Sequence, residues 1–133
     1  RRQRQMCIRD RSKNVIWITV ISSAEGKQGY IQPNDAVNTF ASFGSFPDHI
    51  LVDENGDLGK KFNAKTTPHI FIADKNKNIV YQGAIDDAGG SRFWTTDLNQ
   101  STNFVKKVIN DIKSNKPLSV SKTRPYGCSV KYG

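Results

Sequence analysis

Cysteine is scarce, at two residues in 133. That excludes a disulfide-stapled small scaffold. Neither a Cys-x-x-Cys pair nor a Cys/His cluster with zinc spacing occurs, and with only two histidines no third ligand has site-like spacing. No apolar run approaches the ~18 residues needed to cross a bilayer, so no membrane span is expected. There is no low-complexity tract, and no internal repeat that would indicate a solenoid. What remains is one domain's length of chain, 36% hydrophobic, with enough apolar material for one modest core.

The formal charge of +8 raises nucleic acid or an anionic surface as a partner. Its distribution argues against both. Residues 1–12 hold Arg1, Arg2, Arg4, Arg9 and Arg11 against Asp10, a net of +4 and half the total. The remainder has no aromatic-interleaved basic stripe, so no nucleic-acid partner is expected. The run Met6-Cys7-Ile8-Arg9-Asp10-Arg11 is what a reading frame through a transposon sequencing adapter encodes (ATG TGT ATA AGA GAC AG). Residues 1–12 are therefore read as a non-native tail without a packed face, the alternative being an ordinary basic N-terminal arm, and residues 13–133 as the domain. On this reading Cys7 carries no biology. No apolar segment follows the arginines, so the tail is not a signal peptide.

The rest reads as strand, helix, strand, short helix, hairpin, helix. Residues 15–21 are an almost unbroken β-branched run, the pattern of a strand covered on both faces. A polar, glycine-bearing loop follows over residues 22–29. Pro33 suits a first helical turn, and Ala36, Val37 and Phe40 place a short helix over about 33–42. Residues 49–52 form a short strand, ended by Asp53-Glu54-Asn55-Gly56-Asp57. Leu58, Phe62 and Ala64 mark a short helix, which Thr66-Thr67-Pro68 stops. Residues 70–73 and 79–81 flank a hairpin loop of four or five residues. Residues 83–101 are a long loop. Ser101 or Thr102 is positioned to cap a last helix whose apolar stripe is Phe104, Val105, Val108, Ile109 and Ile112. Lys106 and Lys107 fall on its wet face. The chain from 118 to 133 reads as irregular.

Several residues are read as structural rather than chemical. Trp17 is expected in the core, and His49 and His69 half-buried beside strands. Phe93-Trp94 reads as a pinned loop or a contact patch. Asp86-Asp87 reads as a solvated or capping pair, or as a carboxylate near the site.

The segments WITVISSAEGKQGY (17–30), KTTPHIFI (65–72), YQGAIDD (81–87) and RPYGCSVKY (124–132) resemble a bacterial family of thioredoxin-like redoxins related to the alkyl hydroperoxide reductase/thiol-specific antioxidant group. The resemblance spans about residues 13–133. It implies an α/β, thioredoxin-like fold, truncated at its N-terminal side. It also implies a thiol oxidoreductase that reduces peroxides or exchanges disulfides, with a thiol reductant or a disulfide-bearing protein as partner and no cofactor. Such bacterial proteins are exported, periplasmic or cytoplasmic.

In that family the nucleophile is a cysteine at a helix N-terminus, where the helix dipole stabilises its thiolate. It belongs to a Cys-Pro motif upstream of the strand matching residues 15–21. This chain has no such motif. Thr67-Pro68 matches the family's cis-proline position, so Thr66, Thr67 and Pro68 are the candidate partner-binding edge. Cys128 is the candidate resolving thiol. The alternative is a non-catalytic thioredoxin-like module that binds peptides along the same edge. If the central strand is absent, its two neighbours, residues 15–21 and 70–73, are expected either to close on each other, to leave a gap, or to make a marginal chain that aggregates.

Overall fold

In a computed structural model the described residues are 15–42, 44, 46–87 and 102–133. The readings of the N-terminal tail, of Cys7, of Ser101 and of Phe93-Trp94 lie outside them. The chain divides into two compact units, residues 1–64 with 130–133, and residues 65–129.

In the first unit, β1 (Ile18–Ile21) pairs in parallel with β2 (His49–Val52). The crossover carries a 3-10 turn, Pro33–Asp35, which runs directly into α1 (Ala36–Ser42). Proline occupies the start of that turn, where its missing N–H leaves no intrahelical bond unmade. Ile21, Ala36 and Phe40 are buried together, with Ile31, Ile50 and Val52 packed against them. A clip ahead of the ladder fixes the two strands. Trp17 N donates to an Asp48 carboxylate oxygen at 2.7 Å, and Asp48 N returns a bond to Trp17 O at 2.9 Å.

Two expectations are corrected in this unit, for β1 and for His49. β1 is not covered on both faces: Ile18 is 52% and Val20 39% exposed, and Leu51, opposite Val20, is exposed as well. Paired residues share a sheet face, so the ladder has one buried side, through Ile21, and one apolar side open to solvent. The β-branched run satisfies the strand's backbone preference without two-sided burial. Val37 is 68% exposed, because only Ala36 and Phe40 of the helix turn toward the core. His49 is exposed rather than half-buried.

α2 (Asp57–Lys61) follows a turn in which Gly56 has a left-handed φ of 71°. Phe62 and Ala64 lie just beyond it. The unit's C-terminal residues return here, with Ala24 N bonded to Lys131 O at 2.8 Å and Tyr132 Oη donating to Ala64 O at 2.7 Å.

In the second unit, β3 (Thr66–Thr67) is followed by β4 (Ile70–Ala73) and β5 (Ile79–Gly83). β4 and β5 form an antiparallel hairpin with an irregularity between Ile72 and Ala73. Its five-residue loop, 74–78, is an Asx turn: Asp74 Oδ1 accepts from Asn76 N at 2.9 Å and Asn78 N at 3.0 Å. α3 (Phe104–Lys113) buries Val105, Val108 and Ile109. Its cap is not Thr102 but Asn103, whose side chain accepts from Lys106 N at 2.9 Å. Thr102 instead donates its backbone N–H to Asp87 Oδ1 at 2.7 Å. Ile112, at the helix end, is exposed. The C-terminal stretch is not wholly irregular, since it contains β6 (Cys128–Ser129).

Among the described residues the strands form three two-stranded ladders, β1 with β2, β3 with β6, and β4 with β5. No helix among the described residues is long and apolar enough to cross a membrane.

Candidate functional site

The second unit gathers three of the motifs read in the sequence. β3 leaves α2 through Ala64 and Lys65 and presents Thr66 and Thr67 in extended conformation. The Thr67–Pro68 peptide is cis. Thr66 Oγ1 donates to Pro68 O at 2.8 Å, which closes a local loop around the proline. Beyond it, Lys65 N donates to His69 Nδ1 at 3.1 Å, and the His69 ring stacks on Phe71 at 4.4 Å between centroids. Burial lowers the His69 pKa below its usual value, and the nearby Lys65 charge adds to this. The ring is thus held neutral as an acceptor. Among the described residues no group of three or more His, Cys, Asp or Glu side chains is arranged to hold a metal ion.

Cys128 lies on this edge. β6 runs antiparallel to β3, with Cys128 opposite Thr67 and Ser129 opposite Thr66. The thiol is free and exposed. The sequence-based reading has Thr66, Thr67 and Pro68 meeting an extended partner, and it has Cys128 near a flexible terminus. The structure joins the two: the strand on the edge is the chain's own.

Residues outside the candidate set bring β6 there. Gly127 precedes Cys128 with φ at 136°, and a Cβ there would overlap the Thr67 carbonyl. Only glycine permits both the conformation and the approach. Tyr126 donates its hydroxyl to Asp86 Oδ1 in a short hydrogen bond. Asp86 is 5% exposed, so the first carboxylate of the Asp86-Asp87 pair is buried rather than solvated. Upstream, Thr123 N donates to Gln82 O and Gln82 N to Ser121 O, both at 3.1 Å. Thr123 Oγ1 accepts from Ala84 N at 2.9 Å and pairs with Tyr81 Oη at 2.7 Å. Tyr81 is 0% exposed, and burial pushes its pKa up. Gly83, with φ at 141°, sits so close to Thr123 that a Cβ would strike it. Residues 121–129 are therefore pinned at β5, at Asp86 and at β3. The Pro-Tyr-Gly sequence before Cys128 was the available signal, because a glycine beside a cysteine after proline marks a tight approach.

Chemically, the arrangement offers an accessible thiol and an extended backbone edge side by side. It offers no second thiol among the described residues.

No model of a known protein family matches the chain, and no curated protein matches it. Solved structures do. An uncharacterized conserved protein from Geobacillus kaustophilus superposes with a TM-score of 0.79 at 20% identity, over 98% of this chain and 68% of that one. A hypothetical protein from Sinorhizobium meliloti superposes with a TM-score of 0.81 at 18% identity, over 98% of this chain and 70% of that one. At such identities the likeness concerns the fold alone.

Proposed function

We propose that this chain is the C-terminal part of a redoxin-like thiol oxidoreductase with a thioredoxin-like fold, in which Cys128 serves as the resolving thiol. The observation that carries the reading is the placement of the exposed Cys128 thiol opposite Thr67, one residue from Pro68. The order of elements supports it: a parallel strand pair with a helical crossover, then an antiparallel hairpin and a terminal helix.

The chemistry runs in three steps. A thiolate supplied by a Cys-Pro segment upstream attacks a hydroperoxide oxygen. A sulfur–oxygen bond forms, the O–O bond breaks, and the alcohol leaves with a proton. The Cys128 thiol then attacks the sulfenic sulfur, forming a disulfide, and its proton leaves with the sulfenic hydroxyl as water. An external dithiol reduces that disulfide and is itself oxidised.

The test is the uninterrupted gene. An in-frame Cys-Pro upstream, hydroperoxide consumption coupled to a dithiol, and a sulfenic acid that accumulates in Cys128→Ser are the expected results. Absence of any upstream cysteine sinks the enzyme reading. It would leave the second one, a peptide-binding module, which the presence of an extended strand on the Thr66–Thr67 edge favours.

A further inference from the structure

Asn55-Gly56 is the one Asn-Gly pair in the sequence, and it lies in the turn between β2 and α2. Asn55 is exposed, while Gly56 is buried. Glycine lacks the side chain that ordinarily shields a backbone nitrogen from its neighbour. Gly56 N donates to Asp53 O at 2.9 Å, which closes the turn. On the opposite edge of the same peptide, the Lys60 ammonium donates to the Asn55 backbone carbonyl at 3.3 Å. It also sits over the Tyr132 ring, 5.5 Å from the centroid, so it is held in place from two sides. A cation on that carbonyl withdraws electrons from the Asn55–Gly56 peptide. The Gly56 N–H becomes more acidic, and the carbonyl carbon more open to water.

We propose that Asn55 is a site of spontaneous covalent modification, converting through a succinimide to isoaspartate, with Lys60 as the activating and directing group. The turn opens at the bond from Gly56 N to Asp53 O, while the Lys60 contact stays. The Gly56 nitrogen gives its proton to hydroxide and attacks Asn55 Cγ. A carbon–nitrogen bond forms, the Cγ–Nδ2 bond breaks, and the side-chain nitrogen leaves as ammonia with a proton from water. Water then opens the five-membered ring. Attack at Cγ gives aspartate. Attack at the backbone carbonyl, which Lys60 polarises, gives isoaspartate, with the main chain now running through Cβ and Cγ. Water is the co-reactant, and nothing is oxidised or reduced.

The product does not suit the turn. It adds one carbon to the main chain just ahead of Gly56, which has φ at 71° and packs so closely on Tyr132 that a Cβ would lie 2.6 Å from the ring. Gly56 O accepts from Lys60 N at 2.9 Å, and the Asp53 carboxylate caps α2 across the same turn. Conversion loosens α2 and places a new carboxylate beside Lys60.

The experiment ages the whole 133-residue chain in mildly alkaline buffer. Isoaspartate is located by peptide mapping with fragmentation and counted by an isoaspartyl methyltransferase. Asn34 and Asn38, also exposed but followed by Asp35 and Thr39, are internal references. Residue 55 should convert roughly tenfold faster than either, because only its neighbour is glycine. Asn55→Gln should show no conversion there. Lys60→Met should slow conversion several-fold and lower the share of isoaspartate over aspartate, and Lys60→Arg should restore both. No conversion at residue 55 while a free peptide of residues 50–62 converts overturns the proposal. So does the same rate and product ratio in Lys60→Met as in the wild type. Should Lys60→Met not fold by circular dichroism, the free peptide decides: the folded wild type should give the larger isoaspartate share, and an equal share overturns the proposal.

Discussion

Cys128 and Thr67 are directly opposed in an antiparallel ladder, and a glycine at 127 brings their strands together. In the proposed role this thiol receives a partner sulfur rather than starting the chemistry. It lies in a strand, not at a helix N-terminus. We therefore expect the 133-residue chain to show no thiol peroxidase or disulfide reductase turnover. Hydroperoxide loss with a dithiol present should equal the buffer rate, and Cys128→Ser should not alter it. Turnover that Cys128→Ser abolishes would mean that Cys128 itself is the nucleophile.

Asp53 organises the first unit in a way that has a pH signature. Its carboxylate accepts from Gly59 N at 2.8 Å, Leu58 N at 3.1 Å and Ser22 Oγ at 2.8 Å, and so caps α2 from three residues before the Gly56 turn. Burial pushes its pKa up, but the hydrogen bonds from Gly59, Ser22, Leu58 and Asp57 outweigh it, and the net shift is downward. A depressed pKa gives stability that is fully present above the unfolded value of about 3.9 and is lost as pH falls through the folded value. Asp53→Ala should cost about 1–2 kcal/mol at neutral pH, the range of a lost cap. Asp53→Asn should flatten the loss of urea midpoint between neutral and acid pH. An acid profile in Asp53→Asn identical to that of the wild type would refute the assignment.

The exposed side of the β1–β2 ladder carries Ile18, Val20 and Leu51. Contiguous apolar surface on a sheet promotes association. Replacing Ile18 and Val20 by threonine keeps the β-branched shape. It should reduce concentration-dependent light scattering while changing stability by no more than about 0.5 kcal/mol per site, as for surface substitutions. A loss of several kcal/mol would mean that this face is buried in solution.

The order of elements was legible in the sequence because each has a local cause. Pro33 starts a helical turn, Asp74 closes a hairpin loop through its own side chain, and Val105, Val108 and Ile109 share a helix face. Thr66, Thr67, Pro68 and Cys128 were legible as candidates from the segments around them, but their contact was not. Sixty-one positions separate Thr67 from Cys128 in the chain, and no periodicity spans such a distance. The burial of Asp86 was equally hidden, since its partner Tyr126 lies 40 residues away. The strand at residues 15–21 misled because β-branching reports backbone preference, while burial depends on what packs against each face.

Gly59 lies inside α2, where alanine would ordinarily gain about 1 kcal/mol. Here a Cβ would stand 2.7 Å from Tyr132 Oη and 2.8 Å from Ser22 Oγ. Those atoms are held by Ala64 O and by Asp53, so neither moves without breaking a hydrogen bond. Gly59→Ala should thus destabilise by about 1–3 kcal/mol, the cost of overpacking. Chemical denaturation decides the sign, and a gain in stability would show that Tyr132 is not anchored against this helix.

His69 supplies a second pH signature, in the other unit. Its Nδ1 accepts the Lys65 backbone N–H, which requires an unprotonated nitrogen. Burial and then the Lys65 charge lower its pKa. The unfolded chain binds a proton near pH 6.5, the folded chain only at lower pH. Stability from the neutral ring is therefore fully present above about 6.5 and declines as pH falls through the folded value. Protonation would put a proton on Nδ1, break the bond from Lys65 and loosen the turn that leads from β3 into β4. The His69 Cε1 resonance in a proton NMR titration should show a midpoint below 6.5, and the Lys65 amide should lose hydrogen-exchange protection over the same range. A midpoint above 6.5 would place a proton on the ring in the folded state and rule out Nδ1 as the acceptor.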